Sequence, residues 1–217
     1  MSGLINKFLE PFSYLIYTVT LVVSIYYQRS VTKAFLLLYY IFSTAIIFYG
    51  SLLAFYKTLG DNNWVYNLFF LVTIVVLSCY FHRVLFGRGK KTLVKILLVV
   101  NILLFVWYDI VLKKFDGYYN NQVVAFCFLS IVAYSFLYFH QLINNVNEES
   151  ILLDFDFWLI SGYLLYFLGA FFVILFYQNA AVSQRGFVWG LQSIILFLSA
   201  IITLSGNLWI RNQNKPA

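Results

Sequence analysis

Long apolar runs separated by short polar breaks recur along the chain. They lie at about 12–28, 34–56, 64–86, 92–112, 121–143, 157–177 and 187–210. Runs of about 20 apolar residues are long enough to carry an α-helix across a ~30 Å hydrocarbon core at 1.5 Å per residue. None of the runs alternates polar with apolar residues, so the predicted elements are helices and not the strands of a barrel. The breaks carry charge or turn residues: Gln28-Arg29-Ser30, Lys57 to Asn63, Gly87-Arg88-Gly89-Lys90-Lys91, Lys113 to Asn120, Asn144 to Asp156, and Gln178 to Gly186. Connections this short suit antiparallel neighbours in a bundle. The pattern predicts an all-α, polytopic integral membrane protein. Its seven-transmembrane-helix bundle occupies residues 12–210, between an N-terminal segment, 1–11, and a tail, 211–217.

Composition agrees with that class. The chain is 63% hydrophobic and 10% charged, against about 45–50% and about 25% in soluble domains. The net charge of +6 does not point to nucleic acid, because the lysines and arginines mostly flank apolar runs, where the positive-inside rule places them. With the N-terminus outside, nine bases fall on the inner side and five on the outer. The expected orientation is therefore N-out, C-in. The Asn144 to Asp156 break runs against the trend with Glu148, Glu149, Asp154 and Asp156, but acids count little in that rule. Lys7, Glu10 and Pro11 precede the first long run, with no basic start and no A-x-A cleavage pattern; the first helix is read as uncleaved. Cys79 and Cys127 fall in different runs at different depths and are expected as free thiols.

The sixth run is the most patterned. Gly162, Tyr166, Gly169 and Val173 recur at i, i+4, i+7 and i+11 and so share one helix face. Two glycines on one face let a neighbouring backbone approach closely, as helices do in lipid. This face is the expected packing seam and the expected place for a shift between two packings.

Few polar residues interrupt the runs. Asp109 is the one carboxylate well inside a run, and ionisable groups at membrane depth mark function by default. Lys113 follows at i+4, so an interfacial ion pair competes with a polar pocket shared with Trp107 and Asn101. Asn67, Gln122, Trp189 and Gln192 lie on the outer halves of three runs, where they either build a shallow outer pocket or serve as belt and helix–helix contacts. His82, Arg83 and His140 lie near inner ends, as a polar inner-face site or as plain interfacial side chains. The basic Gly87 to Lys91 break suits topological anchoring and contact with anionic membrane lipids. In the acidic break, Ile151, Leu152, Leu153 and Phe155 form an apolar strip for a cytoplasmic partner or a short interfacial turn. No lysine lies in the seventh run, and no metalloprotease, nucleophile-elbow or P-loop motif is found. No catalytic residue, metal site or cofactor is therefore assigned.

The residues Phe157-Trp158-Leu159-Ile160-Ser161-Gly162-Tyr163-Leu164-Leu165-Tyr166-Phe167-Leu168-Gly169, with the helix count and short loops, resemble the seven-helix sensor modules attached to bacterial histidine kinases. The motif covers 13 of the 217 residues. The resemblance implies a stand-alone, non-catalytic sensor or receptor-like module in a bacterial inner membrane. No kinase domain is expected after Lys215, and the signal is expected to pass to a separate signalling protein such as a histidine kinase. A second copy of the chain is a further candidate partner. Two other readings stand beside it: a small permease for a neutral or lipophilic solute, and a lipid-modifying membrane enzyme using His82, Arg83 and His140.

Overall fold

A computed structural model of the chain describes residues 63–112, 121–145 and 151–213. The expected spans at 12–28 and 34–56, the segment 1–11, and most of the 211–217 tail lie outside the described residues. Five α-helices account for nearly all of the rest: α1 (Asn63–Val84), α2 (Arg88–Phe105), α3 (Asn121–Asn145), α4 (Phe155–Asn179) and α5 (Val182–Gln213). No strand occurs among the described residues. All five helices are long and apolar enough to cross a membrane, and the protein is a helical membrane protein.

The helices coincide with the last five apolar runs, with three departures. The basic residues of the third break do not form a loop: α2 begins at Arg88 and carries Lys90 and Lys91 in its first turns. Its turn needs glycine, because Gly87 sits at φ 91°, a region that costs side-chain-bearing residues but not glycine. The run 92–112 is not one α-helix either, since α2 ends at Phe105 and continues as a π-helical segment, Val106–Val111. Finally, the break predicted over Gln178 to Gly186 shrinks to Ala180 and Ala181. The polar residues Gln178, Asn179, Ser183, Gln184 and Arg185 are all helical, and the break falls at the two alanines.

The described residues fall into two compact units, one ending at Ser130 and the other beginning at Ile131. The first holds α1, α2, the π segment and the start of α3. On α1, Asn67, Phe70, Ile74, Leu77 and Phe81 are buried, a stripe at three- and four-residue spacing. The buried positions of α2 are fewer, Val94, Asn101 and Phe105, and α2 is the least buried of the five spans. Its Leu93, Ile96, Val99 and Leu103 are exposed, as lipid-facing side chains can be. Phe70 packs edge-on against Phe128 of α3, with ring centroids 5.4 Å apart.

The second unit is built on the α4–α5 hairpin and the later part of α3. Its core includes Tyr163, Phe167, Ala170, Leu196 and Ala200. The start of α4 is fastened by Asp154, the N-cap. One carboxylate oxygen accepts from the Asp156 N–H at 3.0 Å, and the other accepts from the Tyr138 hydroxyl at 2.8 Å. The Trp158 indole N–H donates to the Leu152 carbonyl at 3.0 Å. These bonds make the end of the acidic break a fixed turn, from which Leu152 and Leu153 project exposed.

Candidate functional site

Polar residues on a buried helix stripe must find partners, because an unsatisfied buried group costs about 1–3 kcal/mol. Asn101 is such a residue, on the α2 stripe between Val94 and Phe105 and 2% exposed. Its Nδ2 donates to the Leu97 carbonyl at 2.7 Å and to the Ser130 hydroxyl at 2.9 Å. Ser130 passes its own proton to the Phe126 carbonyl at 2.8 Å. A carbonyl only accepts, so the Leu97 contact fixes which end of the amide is nitrogen. The remaining atom, Asn101 Oδ1, is buried and has no hydrogen-bond partner among the described residues.

Asn101 lines a small cavity at the end of the first unit where α1 begins and α2 ends. Asn67, Phe70, Phe105, Val124 and Cys127 also line it. The space open to the centre of a water molecule is about 10 Å³. Apolar side chains make most of the wall, which is why the polar groups stand out. The Cys127 thiol is turned toward the Phe70 carbonyl at 3.8 Å, and Asn67 is 2% exposed.

The π segment follows directly on Phe105. Its bonding pattern is visible at Leu112, whose N–H donates to the Trp107 carbonyl, five residues back, at 3.0 Å. At its entry, the Val106 N–H is shared between the Ile102 and Leu103 carbonyls. A π turn carries one residue more than an α turn and occurs mostly as a local insertion, often at functional sites.

The second unit holds the glycine face. A Cβ on Gly162 would stand 2.5 Å from Thr203 Oγ1 and 3.0 Å from the Ser199 carbonyl oxygen. A Cβ on Gly169 would meet Ile195 at 2.7 Å. Tyr166 lies on the same face, its hydroxyl accepting a long 3.4 Å bond from Gln192 Nε2, and Val173 is buried. The glycine with the tightest surroundings is on α5, where the base of the Trp158 ring fills the place of a Gly206 side chain.

The residues singled out from the sequence thus scatter. Asn67 and Asn101, assigned above to different candidate pockets, share one cavity. Gln122 is exposed and does not line that cavity. Gln192 belongs to the second unit beside Tyr166, with its Oε1 buried and unpartnered among the described residues. The backbone of Asp109 is in the π segment, but its side chain, Lys113 and the Trp189 side chain lie outside the described residues. His82 is half-buried and Arg83 exposed near the end of α1. In the second unit His140 is exposed, with Asn144 Nδ2 at 3.3 Å from its ring. Trp158, near the start of α4, rests the base of its ring on Gly206. Cys127 lines the cavity and Ser130 holds the Asn101 amide; neither had a sequence signal beyond being a small residue in an apolar run. Among the described residues no cluster of His, Cys, Asp and Glu could hold a metal ion. No family model, no curated protein and no solved structure matches the chain.

Proposed function

We propose that the chain is a non-catalytic sensor or receptor-like membrane module that passes a signal to a separate protein such as a histidine kinase. Seven spans, N-out and C-in, in a bacterial inner membrane are part of this proposal. The observation that carries it is the π segment Val106–Val111 placed directly after Phe105, a wall residue of the Asn101 cavity. A sensor needs an element with two arrangements and a ligand or lipid state that favours one of them. The π segment supplies such an element, and the cavity supplies a place from which to bias it.

The glycine face offers a second place for a shift, at greater expense in contacts. Sliding there would break the Ser199–Gly162 bond and lift Trp158 from Gly206. Re-registering the π segment requires neither. The permease reading would use the same cavity.

The test is purification from the native cells in mild detergent, then measurement of the co-purifying partner's phosphorylation. The proposal expects a histidine kinase to be recovered and Asn101→Leu to change its autophosphorylation about threefold or more. Recovery of the chain with a bound solute and no signalling protein would contradict the proposal and favour the permease.

A further inference from the structure

One face of α2 changes character along its length. Arg88, Lys91, Lys95, Val99 and Leu103 follow one another at spacings of three, four, four and four residues, so they line a single helix face. The first three positions are basic. Arg88 and Lys95 are exposed and Lys91 is half-buried. The last two are apolar and open, Val99 54% and Leu103 61% exposed. The end of α1 adds to the charge. Arg83 lies in its last turn, and Lys91 and Lys95 act electrostatically on the His82 ring there, so bases of two helices gather at one end of the first unit. Phe86, between the two helices, is 69% exposed. From Asn62 to Tyr108 the chain has no acid, so this stretch has no carboxylate of its own to balance Arg83, Arg88, Lys90, Lys91 and Lys95.

We propose that this face binds one anionic phospholipid, with its headgroup phosphate at Arg88, Lys91 and Lys95 and an acyl chain along Val99 and Leu103. The order of side chains is the order of the lipid: a negative headgroup, then hydrocarbon. Val99 and Leu103 lie about 6 and 12 Å beyond Lys95 at 1.5 Å per residue, where the chain of a lipid runs. A soluble acidic partner would leave them unused. Any base near the surface attracts anionic lipid, by about fivefold in affinity, and that general attraction does not depend on the face a base occupies. A bound lipid does depend on it. Lys90 supplies the contrast, because it stands about 200° around the helix from Arg88, off the face but at nearly the same depth. The inference goes beyond the signalling proposal and does not rest on it, since a lipid held on α2 requires neither the Asn101 cavity nor a kinase.

The test is native mass spectrometry of the full chain in detergent, titrated with phosphatidylglycerol or with zwitterionic phosphatidylcholine. The proposal expects one phosphatidylglycerol, held about tenfold or more tightly than phosphatidylcholine. Equal binding of the two lipids would overturn it, and that comparison is made on the unaltered protein, so it depends on no variant folding. Lys91→Gln combined with Lys95→Gln should weaken the bound lipid about twentyfold, and Lys90→Gln by less than about twofold. A loss in Lys90→Gln as large as in Lys91→Gln or Lys95→Gln alone would overturn the proposal, because it is the behaviour of a general surface charge. Glycerol 3-phosphate carries the phosphate without the chains. It should not displace the lipid at equal concentration, and displacement would overturn the lipid assignment in favour of a soluble phosphate.

Discussion

The Ser199 hydroxyl donates to the Gly162 backbone carbonyl at 2.8 Å, joining residues 37 apart across the α4–α5 seam. That approach depends on the bare Cα of Gly162. Without a hydrophobic force between helices in lipid, close packing and such bonds hold a hairpin together. In Gly162→Ala the new methyl would press on Thr203 Oγ1 and on the Ser199 carbonyl oxygen, a backbone atom that can yield only by moving α5. We expect a loss of about 1–3 kcal/mol. Ser199→Ala removes only the hydrogen bond and should cost about 0.6 kcal/mol. Thermal unfolding of both variants in one detergent gives the order; equal losses would mean that the seam is looser than described.

The three glycines of the seam should not respond alike. Beside Gly206 stands the base of the Trp158 ring, its Cβ and Cγ included, which cannot swing away without leaving its rotamer. Beside Gly169 stands the side chain of Ile195, which can rotate. Gly206→Ala is expected to be the most destabilising and Gly169→Ala the least, with Gly162→Ala between them. The combination Gly206→Ala with Trp158→Ala should recover part of the loss of Gly206→Ala alone. Melting temperatures of the four variants check this, and no recovery would show that Trp158 is not the obstruction.

Tyr138 and Asp154 tie α3 to the turn that starts α4, and Asp154 also caps α4. Asp154→Ala loses both contacts, so it should cost more than Tyr138→Phe by about the 1 kcal/mol typical of an N-cap. A double-mutant cycle on unfolding free energy should return a coupling of about 0.5–3 kcal/mol for the pair. Strict additivity would show that the tie contributes nothing.

Helix existence was legible where apolar residues dominate, and the five described helices follow the runs closely. Ends were less so. Arg88, Lys90 and Lys91 marked a polar break, yet they tolerate helical backbone well, so α2 starts among them. Nothing in Val106–Val111 announces a π turn: it contains neither glycine nor proline, and hydropathy does not sense hydrogen-bond register. The site was half legible. Asn67 and Asn101 stand out as amides in apolar runs, but periodicity gives the face of each helix and not the depth at which two helices meet. Pairing Asn101 with Ser130 needed that depth. The glycine face was visible at Gly162 and Gly169; Gly206 lies in another run, and nothing in the sequence tells that the Trp158 ring rests on it.

The central claim is that the π segment is a two-state element biased from the Asn101 cavity. Its most direct test is amide hydrogen exchange of the full chain in nanodiscs, wild type against Asn101→Leu. The account predicts a change of roughly tenfold in exchange across residues 106–112, with α4 and α5 unaltered, as expected of a local opening unit. Unchanged exchange in 106–112, or an equal change in every helix, would contradict it.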